Sequence, residues 1–444
     1  MRTEIVQTKN ASKTASKTTS GQSLRGAAHA LVTSVVVAGA AGAAGPAHAA
    51  WIDTWSASPQ PVWADGALPL TTQIPATLCD STVRQVVRVS VGGARIRVAL
   101  SNEYGKTPLE IDGLHVARLA GTSSDIDPST DRAVTFGGGV TTVVPPGARI
   151  LSDAIDLPVA ALERFAVSLY VRRCTSLTTF HWDGRQHAEL VPGNHLESAR
   201  IAAPSQLDAR LFLTEVLVDA PAATRTVVAF GDSITDGRGA TIDTDRRWTD
   251  YLAKRLAGND IAVLNAGISG ARLLRDGMGV NGLARFDRDV LARPNVKAVV
   301  MLLGVNDIGW AGSSFAPHDA PTTARAVIDG YRQLIERAHV RGVRVIGGTI
   351  VPFEGALDGS PIQGYYSADK DKVRREVNAW IRASGQFDAV ADFDAALRDP
   401  QHPARLLAAF DSGDHLHPND AGDEMMASVL TAAMLFGTGT TAHR

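Results

Sequence analysis

Four short polar clusters in the second half of this 444-residue chain hold the residue types that acyl transfer needs. Ser233 stands in Gly231-Asp232-Ser233, and Gly270 closes the run Asn265-Ala266-Gly267-Ile268-Ser269-Gly270. Asn306 lies in Gly304-Val305-Asn306-Asp307, and Asp414, His415 and His417 lie in Asp414-His415-Leu416-His417-Pro418. A serine hydroxyl becomes a useful nucleophile when a histidine takes its proton and a carboxylate orients that histidine. The backbone N–H groups of Ser233 and Gly270, with the side-chain amide of Asn306, are the candidate donors for a developing oxyanion. One such donor is typically worth about 3 kcal/mol of barrier. Gly270 suits the role because a residue without Cβ lets its backbone approach a ligand. Of the two histidines, His417 is the expected base. It follows Asp414 by three residues, so a compact turn brings both side chains to one side, and Pro418 restricts its backbone. His415 is adjacent to Asp414 and should diverge from it. Were His415 the base, Asp411 would be the first alternative carboxylate.

Residues so far apart in sequence need a framework that gathers them. Short apolar runs predict strands at Val227–Phe230, Ile261–Asn265, Val296–Leu303, Val343–Ile350 and Ala389–Phe393. Amphipathic stretches predict helices at Arg247–Leu256, Leu283–Leu291, Thr322–Arg341, Lys370–Ser384 and Asn419–Leu435. Strands alternating with helices form a parallel sheet covered on both faces, and residues just after successive strands meet at its carboxyl edge.

Blander readings exist for each cluster. Gly-Asp-Ser alone arises by chance in roughly one chain in ten of this length. Asp232 and Asp307 read best as turn-forming carboxylates. Asp414, His415 and His417 could ligate a metal, but no third ligand cluster accompanies them, so no metal is expected. Trp310 and His181-Trp182 could line a substrate surface, with core or rim packing the preferred reading. The glycine-rich runs lack G-x-G-x-x-G, the G-x-S-x-G elbow is absent, and no cofactor is expected.

The remainder of the chain reads differently. From Trp51 to about Ala220, short strands are punctuated by Gly, Pro, Asp and Ser, which predicts a β-sandwich, jelly-roll-like. Thr82 to Leu100 alternates around Gly92-Gly93 and predicts a hairpin. Further strands are expected at Leu109–Leu119, Arg132–Phe136, Gly139–Val144 and Phe165–Val171. Before this region, basic residues in a Ser/Thr-rich stretch precede an uncharged Ala/Val/Gly run and Ala47-His48-Ala49, an A-x-A cleavage pattern. That is the layout of a cleaved signal peptide, so a secreted or periplasmic protein without a permanent membrane anchor is expected. In that setting the chain's two cysteines, Cys79 and Cys174, are expected to pair, closing a loop worth about 4 kcal/mol in the chain-entropy model. Two buried thiols are the alternative. A net charge of -2 gives no support for a nucleic-acid partner. The expected layout is a signal peptide over 1–49, the β-sandwich over 50–220, the α/β domain over 221–437 and a tail over 438–444.

GDS, ISG, GxND and DxxHP, in this order on an α/β domain, resemble the SGNH hydrolases, or GDSL-type esterases. The resemblance covers about 225–436 and implies a three-layer α/β/α fold. By motif, Ser233 is the nucleophile and a first oxyanion donor, Gly270 and Asn306 are the other donors, Asp414 orients, and His417 is the base. The first block reads GDSIT rather than GDSLS, which keeps the packing volume. The region opening WIDTWSASPQP more loosely resembles the N-terminal module of exported two-domain members of that superfamily. Hydrolysis of small-molecule or polysaccharide esters through an acyl-serine is the implied activity. The alternatives are a polysaccharide O-acetyl esterase of acetylxylan or rhamnogalacturonan type and a non-catalytic carbohydrate-binding protein, which would have no need of the Ser/Gly/Asn/His set.

Overall fold

Five parallel strands form the sheet at whose carboxyl ends three of the four polar clusters lie. Their spatial order is Ile261–Gly267, Arg225–Gly231, Val296–Leu302, Arg344–Gly348 and Ala389–Ala391. Val227, Val228, Ala229 and Phe230 are all buried, as expected for a strand covered on both faces. The computed structural model describes residues 49–437. The expected signal peptide and the tail at 438–444 lie outside those residues, Ala49 excepted, which begins the first strand.

The helices that cover the sheet show the apolar spacing expected of them. Ala324–Val340 buries Val327, Tyr331, Leu334, Ile335 and Ala338 on one stripe and is capped by Thr323, whose hydroxyl accepts from Ala326 N–H at 3.2 Å. Two helices differ from expectation. Gly282–Phe286 continues into a wide π-turn at Asp287–Leu291. The segment expected as one helix over Asn419–Leu435 is two, Asp420–Val429 and Ala432–Phe436, because Leu430 is extended and Thr431 caps a new start by accepting from Met434 N–H.

Residues 49–221 form antiparallel sheets, in keeping with a β-sandwich. One sheet orders Ala49–Ser56, Leu213–Pro221, Ile96–Ser101 and Arg149–Leu151. The other orders Ser205–Leu207, Ala188–Pro192, Ser81–Arg88, Arg164–Val171, Gly113–Arg118 and Arg132–Ala133. Val83, Val87, Val98, Leu100, Val167 and Val216 share their core. The hairpin expected at Gly92-Gly93 does not form. Ser81–Arg88 and Ile96–Ser101 belong to opposite sheets, and the chain crosses between them. The glycines serve close backbone approach instead: a Cβ on Gly92 would lie 2.4 Å from the Val159 carbonyl oxygen. The cysteines do pair, Cys79 with Cys174, joining segments 95 residues apart.

The two sheet systems interlock. Ile261–Gly267 is an edge strand, and its outer side meets the β region: Val263 N–H donates to Ser90 Oγ at 3.1 Å, and Ser56 Oγ donates to the Asn265 carbonyl at 2.9 Å. A parallel edge that would otherwise present unpaired backbone groups is thereby covered. Behind it, Arg293 pairs with Asp53 at 3.3 Å and with Glu215. The described residues accordingly belong to one compact unit.

Candidate active site

Three of the clusters lie where a parallel strand stops, and the fourth, Asp414–Pro418, lies in the loop before the helix Asp420–Val429. Gly231 ends its strand, Asp232 caps the single turn Ser233–Asp236 by accepting from Ile234 N–H at 3.1 Å, and Ser233 occupies the first helical position. Burial pushes the Asp232 carboxyl up to about 7. Its role is the turn formation the sequence indicated.

Ser233 Oγ lies 2.8 Å from His417 Nε2, and His417 Nδ1 lies 2.6 Å from Asp414 Oδ2. The other Asp414 oxygen accepts from the backbone N–H groups of His417 at 2.9 Å and Leu416 at 3.0 Å. Burial alone would raise the Asp414 carboxyl, but the charge of His417 and these hydrogen bonds hold it well below the usual carboxylate range. A carboxylate accepting from Nδ1 fixes that nitrogen as the protonated one, so Nε2 is free to accept from the Ser233 hydroxyl. Ser233 and His417 are both buried, at 5% and 6% exposure, so this exchange is shielded from bulk water. His415 diverges as expected. Its Nδ1 lies 2.5 Å from Asp411 Oδ2, giving a second Asp–His pair on a half-exposed ring that does not reach Ser233.

The three residues that supply the candidate donors line one cleft. Among the described residues, neither the Ser233 nor the Gly270 backbone N–H finds a protein acceptor. Gly270 has φ +74°, and a Cβ there would fall 2.2 Å from Met278 Sδ. Asn306 is oriented on three sides. Its Oδ1 accepts from Tyr365 O–H at 2.8 Å and Trp310 Nε1–H at 3.2 Å, while Nδ2 donates to the Ala271 carbonyl at 3.0 Å. Those partners settle which end of the amide is nitrogen and leave its second N–H for a ligand. Asp307 is not a turn residue, contrary to the sequence reading. It reaches across to accept from Leu273 N–H at 2.6 Å and Leu274 N–H at 2.9 Å, clamping the Asn306 helix to the loop that carries Gly270. Burial pushes its carboxyl up to about 6.

A cleft of about 180 Å³, open to solvent, leads to Ser233. Leu70, Met278, Trp310, Phe315, Leu357 and Ile362 give it an apolar lining, with Trp310 stacked on Phe315 at 4.5 Å. The β region supplies Pro69, Leu70, Trp182 and Asp183. Trp310 and Trp182 thus line the cleft as well as pack. Several contributors escaped the sequence reading. Tyr365 lies in an irregular loop with no periodic signal. Arg285 is buried and ties two strand ends together, donating to the Gly231 carbonyl at 2.7 Å and the Ala266 carbonyl at 2.8 Å. Its only sequence signal was the i,i+4 spacing to Asp289, with which it pairs at 2.8 Å.

Comparison with known proteins agrees with this architecture. Residues 229–425 match the model of the GDSL-like lipase/acylhydrolase family. The match spans the parallel-sheet region and leaves the antiparallel sheets outside it. Similar solved structures include a GDSL-like lipase from Bacteroides thetaiotaomicron, at 20% identity over 48% of this chain and 88% of that one, with a TM-score of 0.36. The M. smegmatis aryl esterase is similar at 17% identity over 46% of this chain and 95% of that one, TM-score 0.36. An acetyl xylan esterase, AlAXEase, is similar at 21% identity over 46% of this chain and 96% of that one, TM-score 0.33. These likenesses carry nothing about substrate. A comparison with curated protein sequences finds no match.

Proposed function

We propose that this protein is a secreted or periplasmic serine esterase that hydrolyses carboxylic esters through an acyl-serine intermediate. The observation that carries the reading is the continuous relay from Ser233 Oγ through His417 to Asp414, at 2.8 Å and 2.6 Å, opening on an apolar cleft. Ser233 Oγ attacks the ester carbonyl as its proton passes to His417 Nε2. The imidazolium so formed is stabilised by Asp414, which keeps its negative charge. The carbonyl oxygen, now an oxyanion, takes hydrogen bonds from Ser233 N–H, Gly270 N–H and Asn306 Nδ2–H. Collapse breaks the C–O bond to the alcohol, which leaves with the proton from His417. Water, deprotonated by the same nitrogen, then releases the acid and restores Ser233.

The apolar lining supports a substrate with an apolar acyl or aryl group of modest size. Secretion is supported by the N-terminal layout and by a disulfide, which persists in oxidising compartments. The test is turnover of nitrophenyl esters of graded chain length beside release of acetate from acetylated xylan and pectin. Ser233→Ala should abolish the activity with the fold intact, and more than a few per cent of residual turnover would remove Ser233 from its role. Preference for the acetylated polymers would replace the small-ester reading with the polysaccharide O-acetyl esterase.

A further inference from the structure

The β region supplies a histidine to the active site that none of the four clusters contains. His181, in the strand Thr179–Trp182, is buried against the turn Ser233–Asp236. Its Nδ1 lies 3.0 Å from the Ser58 carbonyl oxygen and its Nε2 lies 2.9 Å from Asp236 Oδ1. A backbone carbonyl only accepts, and so does a carboxylate, so both ring nitrogens carry hydrogen and the ring is an imidazolium paired with Asp236. Burial works against that charge, and the carboxylate of Asp236 outweighs it. The second oxygen of Asp236 accepts from Ser269 N–H at 2.9 Å and from Ser269 Oγ at 2.9 Å. That hydroxyl is also 3.0 Å from Asp183 Oδ2, so its single hydrogen is shared between two carboxylates. Arg238 at 3.4 Å and Arg185 at 3.3 Å balance the charge of Asp183.

The consequence is positional. Asp236 closes the turn that begins with Ser233, and Ser269 immediately precedes Gly270. One carboxylate therefore links the turn of the candidate nucleophile to the loop of the candidate oxyanion donor, and His181 holds that carboxylate from the other sheet system. We propose that His181 and Asp236 are positioning residues that set the Gly270 N–H relative to Ser233, so that the β region is a working part of the active site. The inference rests on the esterase reading.

The test compares His181→Ala, Asp236→Asn and Ser269→Ala with the wild type on nitrophenyl acetate, counting folded sites by titration of Ser233 with a fluorophosphonate. A misplaced donor costs transition-state stabilisation, so the expected result for His181→Ala is a fall in kcat of about tenfold to a hundredfold per titrated site with KM changed by less than about threefold. A trifluoromethyl ketone, which forms an oxyanion on Ser233, should lose affinity by a similar factor. Wild-type kcat per titrated site in His181→Ala, or a loss confined to KM, overturns the proposal. Should His181→Ala fail to fold, Ser269→Ala removes one hydroxyl only and should show the same split at smaller size; unchanged kinetics there overturns it equally. Ester turnover by the wild type that Ser233→Ala abolishes would uphold the esterase reading even if the role of His181 fell.

Discussion

Removal of one oxygen atom, by Tyr365→Phe, tests how the candidate oxyanion site is held. The phenol donates to Asn306 Oδ1 at 2.8 Å, and burial raises its own ionisation so far that it stays a neutral donor. The ring packs edge-on against Phe353 and Phe315, contacts that phenylalanine keeps. The variant therefore loses one neutral hydrogen bond and little else. Such a bond is worth about 1 kcal/mol net, a factor of about five in rate if it is felt fully in the transition state. Trp310 Nε1–H still holds Oδ1 at 3.2 Å and Ala271 still holds Nδ2 at 3.0 Å, so the amide should loosen without inverting. The expected result is a kcat lower by about fivefold to tenfold, with KM nearly unchanged and thermal stability lowered only slightly. Asn306→Ala, which deletes the donor itself, should cost about a hundredfold or more. The decisive assay is the double variant: Tyr365→Phe should add nothing once Asn306 is alanine. Additive losses would show that Tyr365 acts elsewhere in the cleft, and an unchanged kcat in the single variant would show that Trp310 and Ala271 suffice.

His417→Ala should remove nearly all ester turnover, whereas His415→Ala should cost at most about tenfold, because its ring is occupied with Asp411; a larger loss for His415 in steady-state assays would reverse the choice of base. Gly270→Ala should lower kcat by about a hundredfold, since its Cβ would meet Met278 Sδ at 2.2 Å and its φ is +74°; a crystal structure with an undisturbed loop and full activity would contradict this. Acid should weaken the fold through Asp289. Burial alone would raise its carboxyl, but Arg288, Arg285 and Arg293 outweigh burial and hold it well below the usual carboxylate range. A depressed folded value contributes stability above the unfolded value near 3.9, lost as pH falls below it, so Asp289→Asn should flatten the drop in urea stability between about pH 4 and pH 2. An equally steep drop in the variant would place the acid sensitivity elsewhere.

By itself, the sequence determined the layered α/β architecture and the residues at its carboxyl edge. Apolar runs such as Val227–Phe230 have few alternatives to a buried strand, and a turn placed directly after a strand has its location set by the strand. The choice of His417 over His415 was equally local, since a three-residue offset from Asp414 and a following proline are short-range constraints. Whatever depended on distant segments was decided only by tertiary structure. Gly92-Gly93 carries the signal of a hairpin, but the carbonyl of Val159, far along the chain, packs against Gly92, and the flanking strands pair in opposite sheets. Asp307 looks like any turn carboxylate until Leu273 and Leu274 present their N–H groups to it. Tyr365, Arg285 and His181 have no periodic or motif context, because each acts through a partner that only packing supplies: Asn306, the Gly231 carbonyl and Asp236. Local spacing encodes where a side chain can point. What it meets there is settled by burial, where every polar group must find a partner from whichever segment the fold brings near.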